Sequence, residues 1–272
     1  MRRYCLLLLT LALCMAACRK KDLPAPASPS VKEPVKDSTQ TKDSTLHYGN
    51  VLIKWNHVAG SRELVADDKT QYTAPDGKQY AVKSLAYYIS NIVFIDENGK
   101  RYKEPNSYKL ITIQNGSSMQ TGIDNIPAAK YTAIELMIGV DSLRNVSGVQ
   151  LGPLDPAHGM FWSWSSGYIM ARLEGSSPQS GAIGNMISYH IAGFKGAYNV
   201  LQTIRIELPQ QADIREKVNC TISLQTDLNT WFAAPGFPGF TALPSIGSEG
   251  EDAFKVSQNY RKMITAIQVE NR

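Results

Sequence analysis

Alternating apolar and polar positions dominate the chain after residue 46. Val51, Ile53, Trp55 and His57 fall on one face of a predicted strand. Several other segments rich in Tyr, Ile and Val show strand-like patterns and similar lengths. These further strands are predicted at 71–73, 79–82, 85–94, 108–113, 130–138, 161–173, 187–191, 200–208 and 218–226. Short, closely spaced strands predict a mainly β fold, an antiparallel β-sandwich of immunoglobulin-like or Greek-key type.

Turn residues separate several of these strands. Pro-Asp-Gly at 75–77 and Glu-Asn-Gly-Lys at 97–100 are typical of tight turns between paired strands. A single segment, 248–267, predicts a helix, because Phe254, Tyr260 and Ile264 fall near helical spacing. The expected architecture is therefore a β-sandwich that ends in a C-terminal helix.

The first residues have the pattern of a bacterial export signal. Arg2 and Arg3 precede thirteen largely apolar residues at 5–17, too few to cross a bilayer as a helix, which takes about 20. The sequence Met-Ala-Ala-Cys ending at Cys18 resembles the lipobox, in which a cysteine is lipidated before cleavage. Residues 1–17 are predicted to be a lipoprotein signal peptide and Cys18 the site of lipidation. An ordinary signal peptide with a chance cysteine is the alternative.

A polar tether follows the predicted lipid anchor. Residues 18–46 are rich in Pro, Ser and Lys and contain almost nothing apolar to bury, so no regular structure is expected. Residues 47–272 are then one β-rich domain held outside the cytoplasm, in the periplasm or at the cell surface, with the outer membrane favoured.

Charge and cysteine content exclude several classes of protein. The 28 Lys and Arg exceed the 24 Asp and Glu by only four, and Arg2 and Arg3 leave with the signal peptide. Without a basic run, no nucleic-acid partner is expected. After processing and lipidation only Cys220 remains, so no internal disulfide can form, and its alternating strand context favours a small buried residue over a reactive thiol.

Sequence motifs for common enzymes are absent. The chain contains no Gly-x-x-x-x-Gly-Lys, Gly-x-Gly-x-x-Gly, Gly-x-Ser-x-Gly, His-Glu-x-x-His or Cys-x-x-Cys. Paired carboxylates such as Asp155 and Glu174 leave a hydrolase open, but many acidic residues satisfy so loose a criterion. A non-catalytic protein is expected.

The most unusual segment contains two of the four tryptophans. Trp162 and Trp164 lie two residues apart, so on a strand both project to one face together with Met160. An aromatic core strand is the simpler interpretation. The alternative is a soft-metal site, because a thioether suits Cu(I) and imidazole suits copper generally. The candidate imidazoles are His57, in the sequence His-Val-Ala-Gly, and His190, in the sequence His-Ile-Ala-Gly, and each could lie near a strand end. A lone histidine is nevertheless more often a core or surface residue.

Several segments together resemble one known family, the MbnP-like domain, typified by a periplasmic copper-binding protein of methanobactin gene clusters. The similarity extends over about residues 50–267, and the tethered lipoprotein form resembles the branch found in Bacteroidetes-type bacteria. The specific segment is Met-x-Trp-x-Trp-x-x-Gly-Tyr at 160–168. Weaker segments in the expected order are 87–92, 126–127, 130–131, 138–141, 154–156, 173–175, 190–193, 259–260 and Met263.

The resemblance implies a β-rich, copper-binding domain outside the cytoplasm. It also implies a di-haem, peroxidase-like partner enzyme that oxidises a tryptophan to kynurenine, for which Trp162 and Trp164 match the motif. Trp55, two residues before His57, is a second candidate. One departure stands out: where the family's type has Asn-His, this chain has Arg-Asn-Val at 144–146.

Three functional hypotheses remain besides the hydrolase. The first is a lipid-anchored Cu(I)-binding protein, with His57 and His190 as shared ligands of one ion and Met160 as a thioether ligand. The second is a surface lipoprotein that binds a glycan or a partner protein through exposed Trp162 and Trp164. In the third, the aromatic residues are core and the metal site has decayed.

Overall fold

The computed structural model describes residues 47–114, 119–163 and 166–272. The predicted signal peptide, lipidated Cys18, the tether and Trp164 lie outside these ranges. Residues 47–272 form one β-rich domain, apart from those gaps.

Fifteen strands and two short α-helices lie within the described ranges. The strands before the first helix are β1 (Tyr48–Ala59), β2 (Arg62–Glu63), β3 (Gln71–Thr73), β4 (Gln79–Asp96), β5 (Arg101–Lys103), β6 (Lys109–Thr112), β7 (Gln120–Pro127) and β8 (Ala129–Ile138). The remaining strands are β9 (Phe161–Ser163), β10 (Gly167–Ser176), β11 (Met186–Ala192), β12 (Gln202–Ile214), β13 (Cys220–Asp227), β14 (Ser245–Ile246) and β15 (Ile264–Asn271). The helices are α1 (Ser142–Asn145) and α2 (Glu251–Tyr260).

The strands form two sheets, as the sandwich prediction requires. The smaller sheet has the order β15-β13-β1-β2, with β7 also paired to β1. The larger has the order β12-β8-β4-β10-β11-β14, with β3, β5 and β6 paired to β4 and β9 to β10. The mainly β, sandwich-like fold is confirmed. Most strand pairs are antiparallel, as expected, but β1 pairs with β13 in parallel and β11 with β14 in parallel.

The parallel pairing of β1 with β13 has a simple topological cause. A parallel connection needs a long crossover, and the chain between β1 and β13 contains most of the domain. The connection can therefore return to the same end of the sheet. Both strands place apolar residues between the sheets, among them Ile53 and Trp55 of β1 and Leu224 of β13.

The central strand of the larger sheet, β4, is covered on both faces. Tyr87 faces the smaller sheet, where it contacts His57. Tyr88 points to the opposite face, yet it is fully buried, because its ring packs edge-on against Tyr168. Phe161 in turn packs against Tyr168 at a centroid distance of 5.0 Å. Burial on both faces explains why 85–94 is almost continuously apolar rather than alternating.

Two predicted elements differ from the structure. The strand predicted at 161–173 is two strands, β9 and β10, which pair antiparallel; Gly167 at the start of β10 has a φ of +71°, outside the strand region. The predicted helix at 248–267 is α2 only to Tyr260. From Ile264 the chain is strand β15, paired with β13, so tertiary pairing overrides the imperfect helical spacing there.

Cys220 agrees with the sequence analysis. Cys220 is 2% exposed and unbridged, and burial raises the pKa of its thiol to about 11, so it is an inert core residue. Within the described part of the chain, neither helix has the length and apolar character to cross a bilayer.

Gly175→Ala tests a close backbone approach beside Glu174. Gly175 lies where the pairing of β10 with β4 shifts register, and a Cβ there would meet the carbonyl oxygen of Ala81 at 2.0 Å. Such an overlap must push the strands apart, so we expect the substitution to lower the free energy of unfolding by about 1–3 kcal/mol. Urea unfolding followed by tryptophan fluorescence measures it.

Gly122→Ala is the matched control. Gly122 also lies in a strand, but a Cβ added there meets no atom within 4 Å, so a change within about 0.5 kcal/mol is expected. Equal unfolding midpoints for the two variants would contradict the close approach at Gly175.

Candidate metal centre

His57 lies inside the sandwich. Alternation along β1 turns it towards the larger sheet, and it is 4% exposed. Its Nε2 lies 2.9 Å from the hydroxyl of Tyr87, and that hydroxyl lies 3.0 Å from the hydroxyl of Thr226 on β13. The three side chains form a buried polar chain that links the two sheets.

The interior keeps the His57 ring neutral. Desolvation lowers the pKa of His57 to about 4. Its Nδ1 is buried and has no hydrogen-bond partner among the described residues. Burial also raises the pKa of Tyr87 well above its usual range, so that hydroxyl stays protonated. The arrangement offers one neutral imidazole nitrogen that no described side chain uses.

His190 lies on β11 and has a different environment. Its Nε2 lies 3.0 Å from Oε1 of Glu174 on β10, and Ser84 of β4 donates to Oε2 of the same carboxylate at 3.1 Å. The side chain of His190 is 24% exposed. Three neighbouring strands therefore orient this imidazole from one surface of the sheet.

Glu174 is held as a carboxylate. Burial alone would raise its pKa, but the hydrogen bonds from His190 and Ser84, together with the nearby charge of Arg172, lower the pKa below its usual value. An ionised Glu174 accepts a hydrogen bond from Nε2 of His190, which leaves Nδ1 as the ring nitrogen able to bind a metal. A carboxylate bonded to the second nitrogen is the usual support of a metal-ligating histidine.

Trp162 stands beside His190. The two ring centroids lie 6.4 Å apart with an angle of 43° between the planes, and the indole is half-buried against the core. Trp164, the other candidate for modification, lies outside the described residues. The indole of Trp162 thus borders the Glu174–His190 pair.

The two imidazoles lie on opposite sides of the larger sheet, with His57 reaching it from β1 of the smaller sheet. Tyr87, which contacts His57, pairs with Ala171, and the preceding residue, Ala86, pairs with Arg172. Arg172 pairs on its other side with His190. Directly paired residues share a face of the sheet, and successive residues along a strand alternate between faces. His190 therefore lies on the face opposite to that of Tyr87. One copper ion shared by His57 and His190, the arrangement expected from the sequence, is not formed.

Met160 and Trp55 occupy apolar surroundings. Met160 is 1% exposed and belongs to the core, just before β9 rather than within it. Trp55 shares the inward face of β1 with His57, as the spacing predicts, and its Nε1 donates to Thr121 at 3.0 Å. The described contacts do not place the Met160 thioether with either imidazole, and a ligand role for it stays a prediction.

The described side chains fit a copper ligand at His190 but do not by themselves complete a metal site. No group of three or more His, Cys, Asp or Glu that could hold an ion occurs in the described ranges. An imidazole ligand beside an indole suits a soft ion better than a hard cation, which takes several oxygen ligands. Further ligands at this face would come from beyond the Glu174–His190–Trp162 cluster.

Two residues of the candidate centre were not identified as such from sequence. Glu174 was one of many available acids, and Tyr87 belonged to an apolar strand. The hairpin of β10 and β11 carried a usable signal, because Ser, Pro and Gly at 177–184 mark its turn. Counting back from that turn places Glu174 and His190 on neighbouring strands, whereas nothing local pairs Tyr87 with His57.

Comparison with known proteins identifies one family. The family model described as MbnP matches residues 48–245. A solved structure, MbnP from Methylosinus trichosporium, is 14% identical and aligns with a TM-score of 0.47 over 67% of this chain and 77% of that chain. No curated protein matches. The MbnP family is extracytoplasmic and is associated with copper in methanobactin systems.

His57→Gln tests the buried neutral imidazole. Because the folded pKa of about 4 lies below the ordinary 6.5, the unfolded chain takes up this proton first as the pH falls. The wild-type free energy of unfolding should therefore fall by roughly 2–3 kcal/mol through this group between about pH 7 and pH 4.5. His57→Gln should lose that part of the slope, as urea unfolding across the pH range would measure.

His47→Gln serves as the control, because His47 is exposed. Its pH slope should match that of the wild type. If His57→Gln and wild type have the same slope, the His57 ring is not held neutral by burial.

Proposed function

The chain belongs to the MbnP family, and we propose that it is a lipid-anchored, non-catalytic, extracytoplasmic copper-binding protein with His190 as a copper ligand. The observation that carries this proposal is the Glu174–His190–Trp162 cluster on the outward face of the larger sheet. A carboxylate orients the imidazole, and an indole borders it. The family's association with copper supports the choice of metal.

Each residue of the cluster has a distinct role in this proposal. His190 binds the ion through Nδ1, and Glu174 fixes the ring by accepting from Nε2. Bound copper supplies a soft Lewis-acid centre; the protein supplies orientation and partial exclusion of water. Trp162 and Trp164 are the residues that a di-haem, peroxidase-like partner would oxidise, a role that comes from the family resemblance.

A partner-binding module is the second candidate, and one observation favours it. Leu143, Val146 and Leu151 are 63–68% exposed on the segment that leads from α1 towards β9. Such apolar exposure is typical of a surface that contacts another protein. A flat glycan-binding face is less well supported, because the indole of Trp162 is half-buried rather than exposed. A protein that binds no copper in any form but retains a partner through these three apolar residues would favour this alternative.

Copper titration of matched variants tests the ligand assignment. We expect His190→Gln to lose the tightly bound Cu(I) seen with wild type in competition with a chromogenic chelator. Glu174→Gln should weaken binding by about 10–100-fold, because it removes the support of the ring. Protein from the native host should be used, and the mass of its peptide with Trp162 and Trp164 reports any oxidation in the same preparation.

His57→Gln and His158→Gln are the controls for that titration. His57 lies on the opposite face, and His158 is exposed with its Nε2 bonded to the carbonyl of Gly152. Both variants should bind copper like the wild type. A His190→Gln protein that keeps its full copper affinity would refute the assignment.

Cys18→Ser tests the lipid anchor. With the full chain expressed in a Gram-negative host, wild type should incorporate labelled palmitate and sediment with membranes. The Cys18→Ser protein should do neither, because it lacks the thiol to which the lipid is attached. Cys220→Ser, which alters a buried thiol, should leave both results unchanged. Labelled palmitate on the Cys18→Ser protein would disprove anchoring at this residue.

A further inference from the structure

A polar cavity lies apart from the Glu174–His190 pair. Its volume is about 390 Å³, and it is bordered by the end of β5, the loop at 104–108, the irregular part of β4 and α1. Its polar lining includes Lys103, Glu104, Asn106, Tyr108, Asp141 and Arg144. A cavity of a few hundred Å³ with converging polar groups is typical of a small-molecule site.

Arg144 brings a buried positive charge to this cavity. It is 6% exposed, donates to Oδ1 of Asn106 at 2.6 Å and stacks over the ring of Tyr108 at 5.2 Å. No ion pair of Arg144 occurs among the described residues. Buried guanidinium groups are normally matched by a carboxylate, and Lys103 adds a second cation to the same wall.

Asp141 does not supply the missing ion-pair partner. Its carboxylate accepts from the hydroxyl of Tyr108, from Asn91 at 3.1 Å and from the backbone N–H of Arg144 at 3.1 Å. Burial alone would raise its pKa, but these bonds and the charge of Arg144 lower it. Asp141 is therefore ionised and its oxygens are already engaged, which leaves the guanidinium able to take an external carboxylate.

Glu104, in contrast, lacks a hydrogen-bond donor for one of its carboxylate oxygens. Its Oε2 is buried without a hydrogen-bond partner among the described residues, while Ser107 bonds the carboxyl group. Burial raises the pKa of Glu104 despite the nearby charge of Lys109. An unmatched buried acceptor is unfavourable, and a donor from a ligand would relieve it.

We propose that this cavity binds a free α-amino acid, with its carboxylate on Arg144 and its ammonium group on the carboxylate of Glu104. A simple carboxylic acid would leave Glu104 without a donor, and a simple amine would leave Arg144 without a carboxylate. A zwitterion satisfies both and adds no net charge to a lining that already holds two cations and two acids. The site is independent of copper and goes beyond the proposed function.

The test is calorimetric titration of the purified full-length protein with each of the twenty L-amino acids. At least one should bind saturably. Its analogues that lack either the amino or the carboxyl group should bind about tenfold or more weakly, because each loses one charge-assisted contact. Equal binding of the amine-free acid would overturn the proposal, and so would the lack of saturable binding by every amino acid.

Two substitutions locate the binding. Glu104→Gln should weaken it by about tenfold or more with little change in melting temperature, since Oε2 has no hydrogen-bond partner within the described protein. Glu63→Gln, on an exposed strand, is the matched control and should bind like wild type. Arg144→Lys should weaken binding through loss of the bidentate contact; if it does not fold, Glu104→Gln still decides. Unchanged binding by Glu104→Gln would overturn the assignment.

His190→Gln separates this result from the copper hypothesis. That variant should bind the amino acid as the wild type does, whether or not it binds copper. Loss of amino-acid binding in His190→Gln would place the ligand at the other face and overturn the cavity assignment.

Discussion

The register of β4, β10 and β11 is the constraint on which the candidate chemistry depends. Pairing of Ala86, Arg172 and His190 across these strands places His190 on one face of the larger sheet and Tyr87 on the other. A shift by one residue would exchange those faces. The same register brings Glu174 within hydrogen-bonding distance of His190. The separation of the two histidines is thus a consequence of backbone pairing, and no side-chain rotation can reverse it.

The two faces give the two imidazoles different chemistry. Between the sheets, His57 is desolvated, neutral and bonded to the Tyr87 hydroxyl, which in turn bonds Thr226, so it acts as part of the polar link between the layers. On the outward face, His190 keeps some contact with water and has an ionised carboxylate beside it. A site that must exchange a metal with its surroundings is better served by the second environment.

Irregularities in the strands build the polar clusters. Asn91 has a φ of +52° where the pairing of β4 with β8 shifts register, and its side chain then reaches Asp141 at the edge of the cavity. Gly175 lies at a similar shift beside Glu174. Regular pairing would bury these positions as sheet, so each interruption gives a polar side chain room to meet residues from another segment.

Sequence alone determined the β-sandwich class, the hairpin turns, the inert Cys220 and the family, because alternation, turn chemistry and ordered motifs are local signals. It also identified His190 and Trp162 as candidates for one site. Only the tertiary structure decided that His57 belongs elsewhere, that Glu174 orients His190 and that β15 replaces the end of the predicted helix. These depend on which strands pair and in what register, and that is set by contacts between residues far apart in the chain.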